Sequence, residues 1–545
     1  MSFNLNVCVL TLALGCACTL NARTALAQQA HSHSNGDRVA QLLDEGTTAL
    51  ARGDEQGAKV AFQNALALEP NNVAAHTYLG VIADKAGDLN EAARHFAAAA
   101  VAAPYDAAAR NNYGAILVRL GRMEQARAQF EASLKLNAEQ PNALVNLAQI
   151  RAAASTPEDL RAARELFAHA QRLAPDAEVA RALVVIALKL GARDQAAASY
   201  RDYAALVARE TDAPQVAPSV RAELGAALLE ADLPDEAITE LSAATQADAT
   251  NADALVALAR AHLKRKDVKA AGQTLEAAVA RGLDAAPIYA ALADVYDAGG
   301  YAEHAIPAMR LALARDPHNE LYHFRYGMLL TDSSAPAAAI IRLQESLKEF
   351  PRSARLWLAL GIAQLSDGKN NEAEQSFKQA LTFEPQSVAA LAYLGTTYAE
   401  RGSYAQAVEA YERAIAADDH AAAPYYLAAD TMLKESQTDY ALAEKYLTRA
   451  IELDPSLASA RVALAKLYVR AERWTEAAAQ LERAVQLAPE LTEAHYQLGR
   501  VYVRLKRMDE AQRELALFKE QSETAKQKRV DEHRELVRRL ANVRF

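Results

Sequence analysis

Three kinds of side chain in this sequence could carry chemistry, and each sits at a spacing that argues for something plainer. His31 and His33, one serine apart, could hold a metal weakly, but two histidines in a polar stretch read as linker. His304, His318 and His323 lie close in sequence, yet helix geometry scatters them over different faces and away from a common ion. Asp294 and Asp297 offer paired carboxylates, the residue types of general acid–base work. Three apart on a helix, such a pair is ordinarily a solvated face. A search for the G-x-x-x-x-G-K-[ST] phosphate loop, the H-E-x-x-H zinc helix, the G-x-S-x-G elbow and a dinucleotide fingerprint finds none of them. The chain is therefore expected not to be an enzyme, to use no cofactor and to hold no metal.

All three cysteines, Cys8, Cys16 and Cys18, fall in the N-terminal segment. Val7 to Leu20 is a mostly apolar run without charge, and Ala25-Leu26-Ala27 supplies an A-x-A cleavage pattern. Residues 1–27 are predicted to be a signal peptide and 28–38 a polar linker. No Lys or Arg precedes the run, so its positive end is only the terminal amine. The run falls short of a membrane span, which needs about 20 apolar residues, and no span is expected in the mature chain. Gly15 precedes Cys16, but Ala13 stands where lipoproteins usually place Leu, so a lipid anchor at Cys16 is not expected. Cleavage after Ala27 would remove every cysteine, and with them disulfides, thiolate catalysis and Cys-based zinc sites. The expected location is exported, periplasmic or extracellular, with association with the envelope left open. A net charge of −10 leaves no basic footprint for nucleic acid.

The elements that would position these residues are read from a repeat. Gly46, Ala58, Phe62, Ala65 and Pro70 recur 34 residues later as Gly80, Ala92, Phe96, Ala99 and Pro104. The same offsets return as Gly361, Ala373, Phe377, Ala380 and Pro385, and in looser form as Ala465, Ala477, Leu481, Ala484 and Pro489. Apolar residues at i, i+3, i+4 and i+7 make each half of a unit an amphipathic helix. Gly53, Gly87, Gly121, Gly191, Gly300, Gly368 and Gly402 recur at one phase between the two helices, where a left-handed helix end is the natural role. No unit buries its apolar face alone, so neighbours must stack. Ala148 to Ala163 and Ala428 to Ala443 each run three residues longer than the rule. That predicts longer inter-helix turns around Ser155-Thr156-Pro157 and Glu435 to Thr438.

This pattern resembles the tetratricopeptide repeat, W-x2-L-G-x2-Y…A-x3-F…P. Trp357, Leu360 and Gly361 match its opening, as do Leu394, Gly395 and Tyr398, and Leu498, Gly499 and Tyr502. The resemblance implies an all-α, right-handed superhelical solenoid of about fourteen helix–turn–helix units with a C-terminal capping helix. Units 1–5 would occupy 39–208, an irregular connection or hinge 209–219, units 6–14 220–518, and a charged capping helix 519–545. It also implies that the first helices line a concave groove for protein or peptide partners. On the N-terminal half this would present Asn111, Asn112 and Asn146, whose amides could hold a peptide backbone. On the C-terminal half it would present Phe324, Arg325, Met328, Leu358, Ile362, Tyr393, Tyr425 and Tyr426. Aromatic, Met and Arg residues in a groove favour a peptide or an amphipathic helix. By resemblance, exported proteins of this kind often serve envelope assembly or export. The alternatives are an accessory subunit of a separately encoded enzyme such as a glycosyltransferase, or a carbohydrate-binding module.

Overall fold

A computed structural model describes residues 35–209, 216–434 and 439–523. The signal segment expected over 1–27, with Cys8, Cys16 and Cys18, lies outside these residues, as do His31 and His33. So do the centre of the 209–219 connection, the turn from Glu435 to Thr438, and residues 524–545 of the charged capping helix expected over 519–545.

Among the described residues every regular element is a helix. Twenty-seven helices and a further helical stretch over 508–523 form fourteen consecutive pairs, so the fold is an all-α solenoid. A typical pair joins a first helix of 13 residues, Val388–Glu400, to a second of 14, Tyr404–Ala417. Two compact units divide after Arg281, and each holds seven pairs in which a helix packs on its partner and on the next pair.

The local reasons for helix lie in the caps. Asn72, Asp106, Asp176, Asn251, Asn319 and Ser353 each accept a backbone N–H at the start of a first helix. Asp54, Asp88, Thr156 and Asp267 do so for second helices. Between the helices of a pair, the seven glycines singled out above all have positive φ, between 66° and 79° except Gly87 at 83°. Six other pairs put Ser155, Asp232, Lys266, Ser334, Glu472 and Lys506 in the same left-handed position, at φ 58–60°. The turn geometry is thus common to the repeats even where its preferred residue is absent.

Inside a pair the helices meet at the small position. Gly114 faces Phe130, which is fully buried, and a Cβ on Gly114 would stand 2.6 Å from the ring's Cε1. Gly46, Gly80 and Gly361 face Phe62, Phe96 and Phe377 in the same way. Where the first helix carries Ala instead, as at Ala259, Ala293 and Ala465, the partner is the slimmer Leu275, Met309 or Leu481. The longer unit near Ser155 departs from expectation. Its turn is only Ser155 and Thr156, and the extra residues lengthen the second helix, Pro157–Leu173, to 17 residues. Thr156 caps the added turn, which Pro157 opens at a position where no backbone N–H is needed.

The helices flanking the 209–219 connection share one apolar core, in which Tyr203 and Leu241 are fully buried. A buried polar cluster crosses the same junction. Tyr200 donates to Glu240 at 2.9 Å, and Arg221 pairs with Glu240 at 3.1 Å. Burial, reinforced by the Glu240 charge, holds the Tyr200 phenol far above its usual value.

Candidate functional site

In the second unit successive first helices meet one another from Glu320–Asp332 through Thr492–Arg504. Second helices pack chiefly against first helices, so the first helices form one continuous layer. On that layer Phe324 and Met328 are half-buried against the core of Leu330, Leu343 and Leu360, and Arg355 lies over the Phe324 ring at 5.9 Å. Leu358 and Ile362 are half-buried against Phe377, on the second helix of their own pair, and Leu394, on the next first helix. Tyr393 is 37% exposed and stacks on Phe377 with ring centroids 5.8 Å apart. Tyr426 is half-buried, and burial followed by the Asp430 charge pushes its phenol up.

Two expected groove residues are placed differently. Tyr425 is buried and sets its ring edge-on to Tyr446 at 5.6 Å, while its hydroxyl reaches the Asp419 carbonyl at 3.4 Å. The physical reason is register: its helix runs Ala422–Met432, so Tyr425 is the fourth residue, as Trp357 is in Ala354–Ser366, and turns inward, while Tyr426 is the fifth, as Phe324 and Leu358 are in theirs, and stays on the open side. Arg325 lies on the layer but is already engaged, with Nη1 2.9 Å from Asp294 Oδ2 on the preceding first helix.

In the first unit the asparagines turn towards each other. Asn146 Nδ2 donates to Asn111 Oδ1 at 3.3 Å, and Asn146 is only 8% exposed. Asn111 and Asn112 are half-buried, so part of the amide capacity expected for a peptide backbone is used between helices.

Sequence spacing missed a clasp that recurs at the fourth residue of many first helices. Trp357 Nε1 donates to the Pro351 carbonyl at 3.0 Å, His323 Nε2 to Pro317 at 2.8 Å, and His495 Nε2 to Pro489 at 2.8 Å. His76, Arg110 and Arg461 bind the carbonyls of Pro70, Pro104 and Pro455 likewise. The signal was available, because each of these side chains follows its proline by six residues. His323 therefore has a structural partner. His318 pairs with Glu349 and His304 packs on Tyr296, so the three histidines stay apart. Asp418, Asp419 and His420 bring three ligand atoms within 4.8 Å on an exposed turn, a group of neighbouring polar residues with nothing further to define a site. No described helix is long and apolar enough to cross a membrane.

Family profiles described as tetratricopeptide repeat match residues 43–107, 107–140, 228–295, 286–319, 327–388 and 358–426, together more than half of the chain. A profile described as anaphase-promoting complex, cyclosome, subunit 3 matches 436–516. Cellulose synthase operon protein C of Escherichia coli is 32% identical over 96 residues, which is 18% of this chain and 8% of that protein. Among solved structures, the APC/C hetero-tetramer Cut9-Hcn1 is similar over 85% of this chain and 96% of that one, at 15% identity and a TM-score of 0.38. A repeat protein from Parabacteroides merdae is similar over 46% of this chain and 98% of its own, at 18% identity and a TM-score of 0.39. MamA is similar over 31% of this chain and 97% of its own, at 24% identity and a TM-score of 0.28.

Proposed function

Because the chain belongs to the tetratricopeptide-repeat family, we propose that it is an exported scaffold that holds protein or peptide partners on its first-helix layer. The observation that carries this reading is the row of half-buried apolar side chains, Phe324, Met328, Leu358 and Ile362, on adjacent first helices. A partner's apolar face would take their remaining surface out of water, in the manner of a helix laid in a groove. Export is supported by the apolar N-terminal run and its A-x-A pattern. Service in envelope assembly, or in polysaccharide or protein export, is supported by the short likeness to cellulose synthase operon protein C. The same likeness favours a second reading, an accessory subunit of a separately encoded glycosyltransferase.

Crosslinking in the native host, followed by mass spectrometry of captured proteins, tests both. A scaffold yields envelope proteins with the wild-type chain and loses them with Phe324→Ala/Ile362→Ala while the circular dichroism is unchanged. Recovery of one synthase alone would select the accessory reading. Identical capture by the folded variant, or capture of no protein together with glycan binding on an array, would overturn the scaffold.

A further inference from the structure

We propose that the first helices of the last two pairs, Ala458–Arg470 and Thr492–Arg504, form a docking patch for an acidic peptide segment that also carries apolar side chains. This rests on reading the first-helix layer as partner-binding, but it concerns a stretch separate from the Phe324–Ile362 stripe. The two helices meet side by side. Lys466 and Arg470 lie one turn apart on the first, and Arg500 and Arg504 one turn apart on the second. Arg470, Arg500 and Arg504 are exposed, and so are Tyr496 and Val503 on the second helix, at 37% and 44%.

Two of these cations have internal partners. Lys466 meets Glu493 at 2.9 Å and Arg470 donates to the Leu433 carbonyl at 3.0 Å. Among the described residues the other two have aromatic faces only. Arg500 lies over Tyr496 at 5.5 Å and Arg504 over Trp474 at 5.6 Å, and no described carboxylate is within ion-pair distance of either. A guanidinium laid on a ring keeps its N–H edges free and already has its long side chain ordered. That suits bidentate capture of a carboxylate. Four cations against Glu493 reverse the sign of a chain whose net charge is −10. The chain's own C-terminal stretch is the wrong occupant on charge, since 524–545 carries seven Lys/Arg and three Asp/Glu. Exposed Tyr496 and Val503 add apolar contact that a purely ionic polymer would not use, so the surface fits a segment alternating acidic and apolar residues.

Fluorescence anisotropy with the full chain tests the patch. The probe is a labelled peptide alternating Glu or Asp with Leu or Phe, and its control replaces every acid with the amide. The acidic peptide is expected to bind with an affinity that falls as salt shortens the screening length, about 10 Å at 0.1 M. The amide peptide should bind at least about tenfold more weakly, as should the acidic one to Arg500→Gln/Arg504→Gln. A charge-reversed Arg500→Glu/Arg504→Glu chain should instead take the Lys-for-Glu peptide, which keeps the test informative if the neutral variant is damaged. Phe324→Ala/Ile362→Ala should bind the acidic peptide normally, so loss of the apolar stripe and loss of this patch are separate results. No binding to the wild type, equal binding of both peptides, full affinity in the Gln variant, or preferential binding of DNA would each overturn the proposal.

Discussion

Adding one methyl group at Gly114 should destabilise its helix pair, and trimming the ring opposite should undo the damage. In Gly114→Ala the new Cβ would lie 2.6 Å from Phe130 Cε1, 2.8 Å from Cδ1 and 3.0 Å from Cζ. Carbon atoms attract best at about 3.5–4.0 Å, so the ring or the helix must move by roughly 1 Å. Phe130 is fully buried among Leu117, Val118 and Leu147, which gives it no free direction. Overpacking of this kind costs about 1–3 kcal/mol. Ala is favoured over Gly in a helix interior by about 1 kcal/mol, so a net loss of about 1–2 kcal/mol remains at the tighter end. Phe130→Leu alone loses packing, but the double variant recreates the pairing of Ala465 with Leu481 found elsewhere in the chain. The coupling between the two sites should therefore be about 1–2 kcal/mol in favour of the double variant. A stacked array need not unfold in one step, so the readout is hydrogen exchange of peptides within Ala107–Arg119 and Met123–Leu136. A Gly114→Ala chain as protected as the wild type, or additive single effects, would refute the steric reasoning.

The left-handed turns offer the converse test. Lys266→Gly and Glu472→Gly should each raise stability by about 0.5–1 kcal/mol, since an L-residue at φ near 60° costs about 1–2 kcal/mol and glycine returns part of that as unfolded-state freedom. Thermal melting checks the sign. At the junction of the two helix runs, Glu240→Ala strands Arg221 and Tyr200 in a buried setting and should cost about 3 kcal/mol by urea unfolding. Tyr203→Phe should be neutral or slightly stabilising there, because the buried Tyr203 hydroxyl has no hydrogen-bond partner among the described residues. Burial, then the Glu240 charge, pushes the Tyr203 phenol to about 12. The neutral form is the one favoured by folding, so this contribution is whole below about pH 10 and is lost as pH rises towards 12. Ultraviolet titration should find Tyr203 ionising later than free tyrosine. The opposite window applies to His95, held low by burial and by the His76 ring, whose Nδ1 is 3.0 Å away, with Lys59 and Arg94 adding to this and Glu91 opposing it. Its contribution is present above about pH 6.5 and is lost as pH falls. Melting temperatures at pH 7.5 and 5 should differ less for His95→Gln than for the wild type.

Periodicity made the helices and their pairing legible, because the small residue, the ring that meets it and the left-handed turn are all local in sequence. Gly46 with Phe62, and Gly53 at φ 79°, follow from offsets alone. The candidate binding face was only partly legible, because contacts between neighbouring repeats depend on their stacking. Arg325 looked free until Asp294, 31 residues earlier, was brought beside it. Asn146 looked available until Asn111 and its surroundings buried it. Tyr425 failed for a smaller reason, since it is the fourth residue of its helix and not the fifth, the place that Phe324 and Leu358 hold in theirs. The basic patch escaped notice because Lys466, Arg470, Arg500 and Arg504 become neighbours only when two first helices lie side by side.

The proline-carbonyl clasps have a mechanical consequence. Each ties a first helix to the turn that precedes it, as Trp357 ties its helix to Pro351 and His495 its own to Pro489. Tension applied along the chain reaches a turn with its carbonyl already gripped, so a first helix cannot swing away before that bond opens. The element that yields is then the helix pair with its leading turn. A chain stretched between two anchoring partners would lengthen in steps of one repeat, with each clasp acting as a detent.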